Sequence, residues 1–445
     1  MYSGFEGAHV NLKQSFAIAA LVLPAAASAD SLDEQIDKLA DQVEPHVIEY
    51  RRYIHQHPEL SNREVETAKY VAKHLKQLGL EVQTGVAKTG VVAVLRGGKP
   101  GPVVALRADM DALPVTEEVD VPFKSKVRTM YDGKSVGVMH ACGHDAHTSM
   151  LLGVAEVASQ LKDQWPGTIK FIFQPAEESP PQGEEGGAEL MVKEGVLSKE
   201  PKPEVIFGQH VLTNWEAGQI AYRAGGAMAS ADDVEIVVNG KGTHGAAPWN
   251  GIDPIVVAAQ IVLGLQTIAS RQMEISKAPV IVTIGKIEGG TRDNIIPDSV
   301  TMKGTLRALD AGMRKDLHER VKRTAEDIAH SAGATASVKF GGHNSYPVTY
   351  NDPKLVQRML PSLRAVAGAD NVQEAPPLLG AEDFSFFAEK IPGFYVFLGS
   401  RPRNEAKELF AANHSPRFHI DESVLKLGVK TLARLAADYS RGQGS

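Results

Sequence analysis

Three short stretches of the chain are dense in side chains that bind cations or move protons. They are His140-Ala141-Cys142-Gly143-His144-Asp145-Ala146-His147, Gln174-Pro175-Ala176-Glu177-Glu178 and His414-Ser415-Pro416-Arg417-Phe418-His419. Thiolate, imidazole and carboxylate are the donors that hold borderline divalent ions such as Zn²⁺. Two adjacent glutamates offer one carboxylate to a cation and leave the other to take a proton from an acidified water. Cys142 and His144, one residue apart, can be turned toward one locus. Cys142 is also the only cysteine, which excludes an intramolecular disulfide. A lone thiol between two histidines and glycine-containing turns reads as a ligand rather than a small buried hydrophobe. His140 and His147 stay outside the ligand set, since packing or helix capping accounts for them equally well. Asp145 is read as an N-cap of the following helix or as support for a ligand.

The elements that must position these groups follow from the apolar pattern. Helical spacing covers residues 31 to 57 and again 64 to 78, where Gly79 is the stop. Near-continuous apolar runs at Val91–Leu95, Val103–Leu106, Ile169–Phe173, Val205–Phe207 and Phe394–Leu398 look like strands buried on both faces. That pattern predicts an α/β domain with a mostly parallel central sheet. Asp109 and Asp111, Glu177 and Glu178, and His210 each follow one of these runs, at the sheet edge where α/β proteins place their functional crevice. Residues 229 to 341 read separately as β-α-β-β-α-β, the order of a ferredoxin-like α+β unit. Because it separates His210 from His414, it is expected to be an inserted lid or dimerisation domain. The first domain then comprises residues 30 to 228 and 342 to 445.

At 445 residues the chain is long enough for two cores, and 43% hydrophobic with 23% charged residues is the balance of a folded globular protein. A net charge of -7 leaves no basic excess for general nucleic-acid binding. Residues 1 to 29 contain Lys13, the apolar run Phe16 to Leu23 and Ala27-Ser28-Ala29 before Asp30. This is the pattern of a secretory signal peptide cleaved after Ala29, implying export, with a periplasmic location expected. The run is too short for comfortable bilayer spanning, and no membrane insertion of the mature chain is expected.

In order along the chain, His57-Pro58-Glu59-Leu60, Arg107-Ala108-Asp109-Met110-Asp111-Ala112-Leu113-Pro114 and Cys142-Gly143-His144-Asp145 are followed by Gln174-Pro175-Ala176-Glu177-Glu178. Gly242-Thr243-His244-Gly245, Asn294-Ile295-Ile296-Pro297, Gly380-Ala381-Glu382-Asp383-Phe384 and His414-Ser415-Pro416 complete the series. Nearly the whole chain from Arg51 onward thereby resembles the amidohydrolase branch of the metal-dependent aminoacylase and carboxypeptidase family. That branch includes hippurate hydrolases and indole-acetate–amino-acid conjugate hydrolases. The resemblance implies a zinc-exopeptidase-like catalytic domain and five metal ligands: Cys142, His144, Glu178, His210 and His414. Two ions on five ligands require a shared one, and a bridging Cys142 is expected. One ion then takes Cys142, His144 and His210, and the other Cys142, Glu178 and His414. Sulfur favours Zn²⁺, while Mn²⁺ or Co²⁺ is also compatible with the set. Glu177 is expected to be the base and then the acid, with Asp111 orienting a ligand. His244 resembles an oxyanion-stabilising histidine, often supplied by a neighbouring subunit, and a homodimer through the inserted domain is expected. Asn294 and Arg307 resemble residues near a substrate carboxylate.

Two segments depart from the family pattern: the long acidic loop Ser179–Gly187, and Val211-Leu212-Thr213-Asn214-Trp215 after His210, without the proline often found there. The expected reaction is hydrolysis of an N-acyl amino acid to a carboxylic acid and a free amino acid. A carboxypeptidase or dipeptidase would use the same machinery. A catalytically dead metal- or ligand-binding periplasmic protein would have lost the base or a ligand, whereas Glu177 and all five expected ligands are present.

Overall fold

A computed structural model describes residues 30–403, 406 and 410–442, with isolated positions 1, 4 and 7. The expected signal segment lies outside the described residues, apart from those isolated positions. The chain enters its first helix, Leu32–Gln56, through a capping box between Ser31 and Glu34.

The large sheet has eight strands in the order Glu81–Val86, Gly90–Arg96, Pro166–Gln174, Lys99–Asp109, Val205–Glu216, Gly393–Arg401, Ile220–Tyr222 and Val372–Glu374. Its four middle strands, from Pro166–Gln174 to Gly393–Arg401, run parallel, and they pair antiparallel with Gly90–Arg96 on one side and Ile220–Tyr222 on the other. The near-continuous apolar runs reflect two cores on opposite faces. Ile169, Phe171 and Phe173 pack with Trp165 on one face, while Ile172, Ile206 and Tyr395 pack with Phe384 on the other. Helices Leu32–Gln56, His144–Gln160 and Ser423–Ser440 cover the first face.

Two expected strand ends shift. Asp109 closes its strand instead of following it, and His210 lies within Val205–Glu216 rather than beyond a strand ending at Phe207. Polar residues at the end of a strand look like the loop that follows, but pairing continues through them, as at Arg107 to Asp109.

A second sheet, ordered Val280–Gly289, Ser299–Ala308, Ala231–Asn239 and Thr335–Tyr346, is antiparallel throughout. Helices Pro254–Thr267 and Ala311–Ser331 pack on it around Ile236, Ile261, Met302 and Val321, giving the β-α-β-β-α-β order its own core. The last strand runs to Tyr346, past the expected boundary at 341. Entry and exit lie side by side, because Gly225–Met228 pairs antiparallel with Thr349–Asn351.

Candidate metal centre

The site begins at a bend only glycine accommodates. Gly143 has φ +95°, and a Cβ there would lie 2.3 Å from Val211 Cγ2. The bend puts Cys142 and His144 against the neighbouring strand, with His144 starting the helix His144–Gln160. Gly143, not Asp145, occupies the cap position, so the capping role considered for Asp145 does not hold. Asp145 instead receives Arg51 Nε at 2.9 Å and faces His55 Nδ1 at 2.9 Å. Although burial opposes its charge, Arg51 and His55 hold its carboxyl far below the usual range.

The donor atoms of Cys142, His144 and His210 lie within 4.8 Å of one another, and so do those of Cys142, Glu178 and His414. Cys142 is common to both groups. Its Sγ is 3.4 Å from His210 Nε2 and 3.3 Å from His414 Nε2, which is itself 3.0 Å from Glu178 Oε1. Backbone carbonyls fix the ring tautomers. His144 Nδ1 lies 2.8 Å from the Asp111 carbonyl and His210 Nδ1 2.9 Å from that of Val211. A carbonyl only accepts, so both Nδ1 atoms carry the proton and Nε2 is the ligand atom offered. Burial, with His147 beside it, holds His210 well below its usual range and therefore neutral. His144 Nε2 is buried with no hydrogen-bond partner among the described residues, about equally far from Asp109 Oδ2 (3.9 Å), Glu177 Oε2 (3.9 Å) and Glu178 Oε1 (4.0 Å). A buried orphan nitrogen among carboxylates is costly, and a divalent cation would resolve it. The donor set therefore fits two cations.

The Glu177-Glu178 pair sits on a tightly held turn. Ala176 and Ser179, on either side, have positive φ of 54° and 78°. Asp111 accepts both backbone N–H groups, Glu177 on Oδ1 and Glu178 on Oδ2, each at 3.0 Å. Glu64 Oε1 accepts Ala176 N–H at 2.8 Å. Asp111 thus supports the glutamates as well as His144, a wider part than orienting one ligand. Glu177 Oε1 accepts the Asp383 N–H at 3.3 Å, and its carboxylate lies within 4.8 Å of those of Glu382 and Asp383. Burial, with Glu382, Glu178 and Asp383 nearby, pushes the Glu177 carboxyl well above its ordinary range.

Behind this turn lies a buried network to which the sequence reading assigned no roles. Arg107, fully buried, donates to Gln174 Oε1 (2.8 Å), Asp109 Oδ2 (2.7 Å), Glu382 Oε1 (2.8 Å) and Asp383 Oδ1 (2.9 Å). Tyr395 OH donates to Glu382 Oε2 at 2.7 Å. His147 faces Asp109 Oδ1 through Nδ1 at 2.6 Å and accepts Val211 N–H on Nε2 at 2.9 Å, so it braces the His210 strand. An arginine inside an apolar strand was the available signal.

His244 and Asn294 come together but not with the metal cluster. His244 pairs with Ile295, and Gly245 N–H donates to the Asn294 carbonyl at 2.8 Å. Both side chains are exposed, and among the described residues neither makes a hydrogen bond or ion pair with the five ligand candidates. Arg307 lies in the second sheet, where partial burial lowers its pKa.

A mixed α/β fold carrying two donor groups that share one thiol is the frame of a two-cation site, and the family match makes it that of a metal-dependent amidohydrolase. The chain belongs to peptidase family M20/M25/M40, whose model matches residues 105–438. It is 45% identical over 410 residues to thermostable carboxypeptidase 2 of Saccharolobus solfataricus, covering 92% of this chain and 99% of that one. It is 39% identical to the IAA-amino acid hydrolase ILR1-like 2 of Arabidopsis thaliana, over 90% of this chain and 86% of that one. The solved YXEP protein of Bacillus subtilis, a dinuclear metal binding peptidase, superposes with a TM-score of 0.73 at 36% identity, covering 90% and 99% of the two chains.

Proposed function

We propose that the chain hydrolyses the amide bond of N-acyl amino acids, releasing a carboxylic acid and a free amino acid. The observation that carries this reading is the pair of three-donor groups sharing Cys142 with Glu177 beside them. Cys142, His144 and His210 would hold one cation, and Cys142, Glu178 and His414 the other. Zn²⁺ fits the sulfur, with Mn²⁺ or Co²⁺ as alternatives. Bound there, two divalent cations supply Lewis acidity and acidify a water. Glu177 takes the proton from the attacking water and returns it to the departing nitrogen, which would otherwise leave as an amine anion. Asp111 keeps the glutamates aligned through their backbone amides.

The apolar outer face of Pro254–Thr267 supports a homodimer. Ile255, Val256 and Leu263 are exposed, although Val257, Ile261 and Leu265 already fill the inner face. In such a dimer His244 would reach the partner's scissile carbonyl, with Asn294 and Arg307 toward the substrate carboxylate. The Ala27-Ser28-Ala29 pattern supports export to the periplasm.

The carboxypeptidase name of the 45% identical relative favours a second reading, cleavage of a peptide bond next to a free carboxylate. Assay of N-acetyl, N-benzoyl and aminoacyl amino acids, with metal analysis of the same preparation, tests both. Turnover confined to the aminoacyl substrates selects the peptidase, and no turnover by a preparation carrying two ions per chain rejects both.

A further inference from the structure

We propose that Tyr346 is a positioning residue through which the seating of the second unit sets the orientation of the Glu177-bearing turn. The proposal rests on the reading of Glu177 as proton carrier. Tyr346 ends the last strand of the second sheet, where it pairs with Ala231. Its neighbour Ser345 donates to Asp232 Oδ1 at 3.1 Å, and Arg314 grips that same carboxylate at 2.7 and 2.8 Å. The strand end is thereby fixed to its own unit.

From that anchor the side chain reaches the other unit. Tyr346 OH donates to the Glu177 carbonyl at 2.7 Å and lies 2.8 Å from Ser179 Oγ. A phenol has one proton and a carbonyl only accepts, so Ser179 is the donor in the second bond. The two bonds span the glutamate pair. This turn has a particular need of restraint, because Ala176 and Ser179 both hold left-handed backbone without being glycine. Such a backbone is strained for a residue with a side chain and persists only where the surroundings over-determine it. Asp111 and Glu64 hold the turn from the first unit, whereas Tyr346 holds it from the second. Phe386 meets the Tyr346 ring edge-on at 6.2 Å, and a cavity of about 260 Å³ bordered by Pro180, Gly342 and Phe386 adjoins it. The ring therefore has open space on one side. A shift of the second unit would break together the bond Tyr346 accepts from Ser179 and the bond it donates to the Glu177 carbonyl, leaving the turn held from one side.

Tyr346→Phe keeps the ring and removes both bonds. Hydrogen exchange at the Glu177 and Glu178 amides, followed with and without bound metal, is expected to quicken about two- to thirteen-fold, the usual worth of a hydrogen bond. On whichever amide the wild type cleaves, kcat should fall by a similar factor, with KM within about twofold and two ions per chain retained. Ser179→Ala, which spares the bond to the Glu177 carbonyl, should show a smaller effect of the same kind. Unchanged exchange and kcat in Tyr346→Phe overturn the proposal. Loss of metal or faster exchange throughout the protein also overturns it, because Tyr346 would then be a general structural support. Should the wild type cleave no substrate, the function reading fails, and the exchange measurement still decides whether Tyr346 restrains the turn.

Discussion

Replacing Glu177 by glutamine is the most discriminating perturbation of the proposed chemistry, because it separates charge from shape. The backbone of the turn is held by Asp111 and Tyr346, neither of which touches the substituted carboxyl. A glutamine oxygen can still accept the Asp383 N–H that now reaches Glu177 Oε1. What disappears is the proton acceptor, so kcat should fall by about 10²–10⁴, or roughly 2.7–5.5 kcal/mol in the barrier. Folding should not suffer. Burial and the neighbouring Glu382, Glu178 and Asp383 raise the Glu177 carboxyl well above its ordinary range. A raised carboxyl contributes stability below its unfolded value, about 4.3, and loses it as pH rises through the folded value. Glutamine has no such loss. Metal-free Glu177→Gln should therefore melt no lower than the metal-free wild type at neutral pH, with the difference moving in its favour as pH rises. Glu178→Gln should behave differently, losing an ion because its Oε1 faces His414 Nε2 at 3.0 Å within the second donor group. Steady-state kinetics, metal analysis and melting on the same preparations decide the matter. Retained turnover in Glu177→Gln refutes the proton-carrier role, and equal metal loss in the two variants refutes the division of labour between them.

Cys142→Ser should lower both metal content and turnover, since an alcohol is a far poorer ligand than a thiolate; two ions per chain with full turnover would exclude a bridging thiolate. His244→Ala should lower kcat by about 10²–10³ while leaving metal content intact, and an unchanged kcat would make it a turn residue. Glu64, fully buried and with Asp111 nearby, has its carboxyl pushed up to about 8 chiefly by burial. Its stabilising contribution is present below about pH 4 and lost as pH rises to about 8. Over that window the metal-free wild type should lose stability more steeply than Glu64→Gln, by on the order of 5 kcal/mol at most. Parallel stability curves from denaturant titrations would show that Glu64 is not perturbed in this way.

The residues legible in the sequence share one property: their types are rare in the surroundings their neighbours predict. A lone thiol between histidines and a glutamate pair at the end of an apolar strand stand out because a folded core excludes them unless something compensates. The β-α-β-β-α-β order expected for residues 229 to 341 was legible for a related reason, since period-2 and period-3.6 patterns alternate cleanly around one core, although its last strand runs on to Tyr346. What stayed hidden depends on pairings distant in sequence. Arg107 meets Glu382 and Asp383 from some 275 residues away, and Tyr346 meets Glu177 across 169. No local spacing announces such partners. Strand ends were misjudged at Asp109 and His210 for the same cause, because a charged or polar residue ends a strand only when no partner strand satisfies its backbone. Here a parallel neighbour still pairs at both positions, Asp109 with Gln174 and His210 with Phe397. The added length carries function. Holding His210 within a paired strand, with its Nδ1 proton directed at the Val211 carbonyl, fixes which nitrogen faces Cys142 more firmly than a loop could.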